Sequence, residues 1–212
     1  MKKIISFSLY GHDPKYYVGM YCNAEIAKKI FPDWICRVYY DSSLPTHAVE
    51  TLKKYDNVEL VDMTNYEPKI FQMMWRFLAI DDEDVQIMLS RDSDARLSFR
   101  EKHCVDIFEN SDFLLHSIRD NGSHFDIMGG MWGIKKNDRV KIIDLIDKND
   151  CFTYDCDQMF LRQKLVKFFK DSYLIHCSTY LNTFPIKKEN EYFVGGWWYA
   201  DNAGKPYDYI FF

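Results

Sequence analysis

The first half of the chain alternates short apolar runs with segments whose apolar residues recur at helical spacing. This alternation predicts βα units stacked into a mostly parallel sheet. The predicted strands are residues 4–9, 35–40, 58–61 and 85–89.

Four helices are predicted around these strands. The first lies between the first two strands, where apolar residues return every three or four positions and therefore share one face. These residues are Tyr17, Met20, Tyr21, Ala24 and Ala27. The second helix is residues 46–54, and the third is residues 70–78, after Pro68. The fourth begins at a capping box formed by Ser98 and Glu101 and ends near residue 110.

The second half of the chain has a different pattern. Strands are predicted over residues 113–117, 126–132 and 173–176, and helices over residues 139–146 and 158–166. Residues 182–212 are rich in aromatic side chains and receive no predicted structure. The chain is therefore predicted to be an α/β domain, with a central mixed, mostly parallel sheet flanked by helices. We expect one domain over residues 1–212, and the alternative that it is the N-terminal part of a longer protein stays open.

Composition narrows the classes of partner. The chain has 212 residues and is 47% hydrophobic, which is enough to bury a full core. Its 27 basic and 32 acidic side chains give a net charge of -5, so no global field attracts nucleic acid or an anionic membrane. Any bound phosphate must be held locally.

The six cysteines are scattered without CxxC pairing, which favours reduced thiols over disulfides. Reduced thiols in turn favour a cytoplasmic location. No apolar stretch has the length of a membrane span, and no signal peptide is recognisable. We expect a monomer.

The triplet Asp-x-Asp is the candidate for metal chemistry, although it occurs three times and is a weak signal alone. Asp92 and Asp94 follow a predicted strand and precede a capped helix, so they are placed at the carboxyl end of a sheet strand, where open α/β folds bind ligands. Two carboxylates one residue apart can reach one hard cation such as Mn²⁺ or Mg²⁺. A solvated turn is the alternative.

Five segments, in this order along the chain, together resemble one enzyme family. They are Trp75-Arg76-Phe77, Arg91 to Arg96, Arg119-Asp120 with His124, Ile127 to Gly133, and Asp157-Gln158 with Phe160-Leu161. This set resembles the DXD-containing glycosyltransferases of the GT-A type, particularly the small ones that chlorella-infecting large DNA viruses encode to modify their capsid protein.

The resemblance implies a GT-A fold, which is a Rossmann-like fold for nucleotide-diphospho-sugar transferases. It also implies that Asp92 and Asp94 bind Mn²⁺ or Mg²⁺ bridged to the donor diphosphate, with His176 as a further ligand. Asp157 and Gln158 correspond to a pair that retaining enzymes place beneath the anomeric carbon of the sugar. A viral protein of this kind would act in the host cytoplasm.

The donor site that the resemblance implies includes further residues from several parts of the chain. They are Ser8, Tyr10, Gly11, Arg76, Ser93, Gly129 and Gly130. A buried Arg76 needs an anionic partner, which could be the diphosphate, Asp92 or a structural carboxylate. Glycine at 129 and 130 would let the backbone approach the sugar closely, and tight strand packing is the alternative.

The function predicted from these residues is transfer of a hexosyl or deoxyhexosyl group from a UDP-sugar to a hydroxyl of a glycan or glycoprotein, with retention. An inverting reaction would need a general base, for which Asp120 and Asp126 are candidates. A nucleotidyltransferase or phosphotransferase is a second hypothesis, although no P-loop or dinucleotide fingerprint is present. A nucleotide-sugar-binding module without turnover is the third.

Overall fold

One mixed sheet organises the computed structural model, which describes residues 1–146, 155–188 and 193–196. Its strands in the described part are β1 (Lys2–Leu9), β2 (Ile35–Tyr40), β3 (Val58–Asp62), β4 (Val85–Arg91), β5 (Leu115–Arg119), β6 (Met131–Lys135) and β7 (Tyr173–Cys177). They lie in the order β3-β2-β1-β4-β6-β5-β7. Strand β6 runs antiparallel to both of its neighbours, whereas the other pairings are parallel.

Helices cover both faces of this sheet. They are α1 (Pro14–Ile30), α2 (Thr46–Leu52), a 3₁₀ helix (Gln72–Asp81), α3 (Phe99–Glu109), α4 (Ile142–Leu145) and α5 (Cys156–Phe160). Beyond α5 the chain stays helical through a π turn (Leu161–Leu165) and a 3₁₀ turn (Val166–Phe168). The predicted α/β class, with a mostly parallel mixed sheet flanked by helices, is confirmed.

The core has two layers because the central strands are buried on both faces. Ile4 and Ile5 are neighbours in β1, both fully buried, and belong to different apolar clusters on opposite sides of the sheet. Met20, the buried apolar residue at the middle of α1, packs in the cluster with Ile5, while Trp132 of β6 packs in the cluster with Ile4. The central strands therefore consist mostly of apolar residues.

Side-chain caps begin two of the helices, and the cap of α3 was predicted. Asp13 accepts a hydrogen bond from the backbone N–H of Lys15 at 3.0 Å, and Pro14 occupies the first position of α1. Ser98 caps α3 by accepting from the backbone N–H of Glu101 at 3.2 Å, as predicted from the capping box.

Several predicted boundaries are wrong. The strand predicted over residues 126–132 begins only at Met131, and residues 126–130 form a loop in which Gly129 lies against Asp157 and Gly130 against Asp92. The third predicted helix is a 3₁₀ helix, and the helix predicted over residues 139–146 is reduced to α4. Of residues 182–212, only 182–188 and 193–196 lie within the described part.

Two further features bear on the sequence-based expectations. No helix among the described residues has both the length and the apolarity needed to cross a membrane. None of the cysteines in the described part of the chain forms a disulfide. Cys151 lies outside the described residues.

Candidate functional site

The reversed direction of β6 adds its own start to the edge of the sheet at which the parallel strands end. Strands β1, β4, β5 and β7 end at this edge, and β6 begins there because it runs the other way. The edge therefore receives Gly11 after β1, Asp92 after β4, Asp120 after β5 and Gly130 before β6. Open α/β sheets bind ligands outside the carboxyl ends of their strands, so this edge is the candidate site.

Arg76 forms the centre of the site by joining two carboxylates from distant parts of the chain. Its guanidinium donates from Nη2 to Asp157 Oδ2 at 2.9 Å and from Nη1 to Asp92 Oδ1. Nη1 also donates to the carbonyl of Arg91 at 3.2 Å, and the Arg76 backbone N–H donates to Ser8 Oγ at 3.1 Å. The Arg76 side chain is only 7% exposed, so the guanidinium at the centre of the bridge lies away from solvent.

The bridge leaves one donor of Arg76 unused. Nε is buried and has no hydrogen-bond acceptor among the described residues. A buried N–H without an acceptor is costly, and an added oxygen from a ligand would relieve that cost. Burial alone would lower the pKa of Arg76, but the charges of Asp92 and Asp157 outweigh it and raise the pKa, so the guanidinium stays charged.

Two acidic groups of the site, Asp157 and Asp94, have raised pKa values. Burial raises the pKa of Asp157, despite the opposing charge of Arg76, and its side chain is 3% exposed. Burial, and then the negative charge of Asp92, raise the pKa of Asp94. Asp92 itself is more open, with a side chain 43% exposed. Asp92, Asp94 and Asp157 thus concentrate negative charge at the site, and this charge would stabilise a bound cation.

Gly129 and Gly130 make room for these carboxylates. A Cβ at Gly130 would lie less than 3.0 Å from each of three atoms of the Asp92 carboxyl group, and one at Gly129 would lie equally close to Asp157 and to Arg76 Nη2. Ser90 Oγ donates to the Gly129 carbonyl at 2.7 Å and fixes the loop. The predicted close approach of backbone is therefore to the acidic side chains, and a role beneath the donor sugar stays a prediction.

Asn23 holds the acidic turn in place, a role that was not predicted from the sequence. It is 1% exposed on α1, donates to the Ala95 carbonyl at 2.9 Å and to the Ser93 carbonyl at 3.4 Å, and accepts from the Leu97 N–H at 3.1 Å. Ser93 therefore takes part through its backbone. The available signal was an amide side chain on the apolar face of α1, beside Ala24.

Gly19, one turn earlier on α1, lets the same turn approach the helix. A Cβ there would lie less than 3.0 Å from the Ser93 carbonyl oxygen. Arg91, at the end of β4, pairs with Glu101 in the first turn of α3, and both side chains are at most 5% exposed. The acidic turn is thus held in place by α1, α3 and β4.

Three of the predicted donor-site residues, Ser8, Tyr10 and Gly11, lie at the end of β1 and just after it. Gly11 has φ +79° and donates its N–H to Ser43 Oγ at 2.7 Å. Tyr10 packs edge-on against Trp75 with ring centroids 6.1 Å apart, and burial raises its pKa to about 12. A role of Ser8, Tyr10 and Gly11 in binding the donor stays a prediction.

His176 is held by another histidine. Its Nδ1 and His116 Nε2 are 2.8 Å apart across the paired strands β5 and β7, and burial lowers the pKa of His176 to about 4. Within the described ranges, no three His, Cys, Asp or Glu side chains form a group that could hold a metal, so Asp92, Asp94 and His176 are not brought together in one. The ligand role of His176 stays a prediction.

Both candidate general bases are already paired. Asp120 is fully buried in its side chain and accepts from Arg100 Nε and Nη2 at 2.7 Å each. Burial would raise the pKa of Asp120, but the hydrogen bonds from Arg100 and its other partners lower it. Asp126 pairs with Arg162 at 2.6 Å. Gln158 donates from its side chain to Asp155 Oδ1 at 3.0 Å, so its amide faces the start of α5.

Solved glycosyltransferases share this fold. A glycosyltransferase involved in the glycosylation of the major capsid of PBCV-1 aligns over 85% of this chain and 84% of its own, with 16% identity and a TM-score of 0.49. The glycosyltransferase GlyE of Streptococcus pneumoniae TIGR4 aligns over 82% of this chain, with 19% identity and a TM-score of 0.50. The chain spans 44% of the length of GlyE.

The apo form of GlyE gives a similar result, with 18% identity and a TM-score of 0.48 over 82% of this chain. No protein-family profile and no curated protein matches the sequence. Similarity at these identities concerns the fold, and the reaction is argued from the site.

Proposed function

We propose that the chain is a metal-dependent glycosyltransferase that moves a hexosyl or deoxyhexosyl group from a UDP-sugar to a hydroxyl of a glycan or glycoprotein, with retention. The observation that carries this proposal is the buried Arg76 bridge between Asp92 and Asp157 at the ligand-binding edge of the sheet. One side of the bridge offers carboxylates for a cation, and the other places a carboxylate at a helix start.

Asp92 and Asp94 are the residues that would hold a divalent cation, through two carboxylates. Asp92 is partly exposed, and its charge helps to raise the pKa of Asp94, as expected for two acidic groups that a bound cation would neutralise. Oxygen ligands suit Mn²⁺ or Mg²⁺, with phosphate and water in the remaining positions. Such a cation, when bound, stabilises the charge that grows on the departing diphosphate.

Arg76 and Asp157 supply the protein's own part of the chemistry. The charged guanidinium of Arg76, held between Asp92 and Asp157, places a positive charge beside the oxygens of the donor substrate. Asp157, kept near Arg76 at the start of α5, stabilises the positive charge that develops at the anomeric carbon. Asp120 and Asp126 are engaged with arginines, which favours retention over an inverting mechanism that needs one of them as a free base.

The first test is binding. Thermal stabilisation by UDP, GDP and CDP is measured with and without Mn²⁺ on the wild type, on Asp94→Ala and on Asp84→Ala. Asp84 is a matched control because it belongs to another Asp-x-Asp triplet and pairs at the surface with Lys2. We expect stabilisation by UDP that requires Mn²⁺ and is lost only in Asp94→Ala. Metal-independent binding that survives this substitution would contradict the proposal.

The second test is turnover. UDP-sugars are incubated with Mn²⁺ and simple hydroxyl acceptors, and the anomer formed is read by NMR, with retention expected. The resemblance of the motifs to virus-encoded enzymes makes a capsid glycoprotein an acceptor to include. Binding of UDP without transfer or hydrolysis would instead support a module that has lost turnover. Pyrophosphate release from a nucleoside triphosphate would support a nucleotidyltransferase.

A further inference from the structure

The chain after β7 returns to the edge that carries the acidic turn. We call the described residues of this return, 178–188 and 193–196, the C-terminal strap. Val194 and Gly195 of the strap line one small cavity together with Asp92 and Gly130. Gly195 has φ +83°, and a Cβ there would lie less than 3.0 Å from Met131 Sδ, so the strap packs tightly at the start of β6.

One buried ion pair fixes this strap. Arg100 lies in the first turn of α3, Asp120 follows β5, and their side chains are 11% and 0% exposed. Two parallel hydrogen bonds of 2.7 Å join them, which is the geometry that gives such pairs their directionality.

The remaining contacts of this pair go to the strap. Arg100 Nη1 donates to the Ile186 carbonyl at 2.8 Å, and its guanidinium lies 3.8 Å from the centre of the Phe184 ring. Asp120 Oδ2 accepts the Val194 N–H at 3.0 Å. A pair that only joined α3 to β5 would not need these three connections.

The pair also connects the strap to the acidic turn through α3. Arg100 belongs to the helix that begins directly after this turn, and its neighbour Glu101 is paired with Arg91 at the end of β4. A shift of Arg100 would therefore move the strap relative to Asp92 and change the cavity that they share.

We propose that Arg100 and Asp120 are positioning residues that hold the strap, through Val194 and Gly195, beside Asp92 of the proposed donor site. This inference rests on the proposed function. The pair does not touch the reacting atoms, and its effect is on how well the donor and its metal are held. Loss of the pair should therefore raise the KM for the donor more than it lowers kcat.

Asp120→Asn is the main variant and Asp171→Asn is its control. Asp171 also makes a two-point pair with an arginine, Arg139, at 2.6 and 3.0 Å, but it lies on the surface, 72% exposed. Two readouts are compared. The first is the KM and kcat for a UDP-sugar, and the second is the rate of trypsin cleavage after Lys187, mapped by mass spectrometry with and without UDP and Mn²⁺.

We expect Asp120→Asn to raise the donor KM about tenfold or more, since small misplacements of a site are costly, and to speed cleavage after Lys187. Asp171→Asn should change neither. Arg100→Lys, which keeps the charge but loses the fork, should fall between Asp120→Asn and the wild type. In the wild type, UDP with Mn²⁺ should slow cleavage of the strap.

If Asp120→Asn does not fold, Phe184→Leu removes the ring beneath the guanidinium while both charges remain, and smaller changes in the same direction are expected. A folded Asp120→Asn or Phe184→Leu that matches Asp171→Asn in both readouts overturns the inference. A wild type that neither binds UDP nor turns over a UDP-sugar sinks the proposed function and the donor part of this inference. The cleavage rates would then still decide whether the pair anchors the strap.

Discussion

Alanine at Gly129 and at Gly130 should have different consequences, although the two substitutions are identical and adjacent. Each new Cβ would lie less than 3.0 Å from a carboxylate that Arg76 holds, Asp157 at one position and Asp92 at the other. Ordinary contacts begin near 3.4 Å. Each carboxylate must therefore retreat by about 1 Å or more, because dense interiors do not absorb such an overlap.

The difference lies in where each carboxylate can go. Asp92 is 43% exposed and can turn toward solvent, so Gly130→Ala should lower the free energy of unfolding by about 1 kcal/mol or less. Asp157 is 3% exposed and cannot. Gly129→Ala should therefore cost about 3 kcal/mol, from overpacking and from the weakened buried pair with Arg76.

The assay combines urea denaturation with calorimetric titration of UDP in the presence of Mn²⁺. Gly130→Ala should remain nearly as stable as the wild type while its metal-dependent UDP binding weakens about a hundredfold, because Asp92 has moved. Gly122→Ala is the control, since its nearest neighbour, Tyr180 Oη, is 4.0 Å from the new Cβ. Equal loss of stability at 129 and 130, or unchanged binding in Gly130→Ala, would refute this reasoning.

Two further substitutions follow from the buried polar groups. Asn23→Ala leaves the Leu97 N–H without its acceptor and removes one donor from the Ser93 and Ala95 carbonyls, which keep Arg96 Nη1. Urea denaturation should therefore show a loss of about 1–3 kcal/mol, and a loss below about 0.5 kcal/mol would be contrary to this account. Arg76→Met removes the charge beside Asp157, whose pKa is already raised by burial, and should raise that pKa further. The folded-state pKa then lies above the unfolded value, so stability falls as pH rises between the two. The deficit against the wild type should be full at neutral pH and shrink as Asp157 is protonated, and equal deficits at about pH 7 and pH 4.5 would count against it.

Local patterns predicted the parallel half of the sheet and two of its helices well. Strands β1 and β2 are mostly apolar runs, α1 shows apolar helical spacing, and α3 begins at a capping residue, and all of these signals act within a few residues. The 3₁₀ helix was predicted only as a helix, because three-residue steps such as Met74 to Phe77 fit both kinds of helix.

The candidate site depends on contacts that no local pattern reports. Arg76 and Asp157 are 81 residues apart, and only the folded chain brings them together. The strand prediction over residues 126–130 was wrong because the apolar residues and glycines there resemble a strand. In the structure, the backbone at Gly129 and Gly130 instead packs against the carboxylates of Asp157 and Asp92. The roles of Asn23 and Asp120 were likewise visible only once their partners were placed.

The insertion of β6 between β4 and β5 also has a consequence for biosynthesis. The first four strands can pair in order as the chain emerges from the ribosome, but the outer edge of β4 finds its partner only after residue 135 has been made. Until then the backbone N–H and C=O groups along this edge of β4 have no partner strand, and the strand is apolar from Ile87 to Leu89. We expect a fragment that stops after α3 to aggregate through this edge, so the late, reversed strand serves solubility as well as the site.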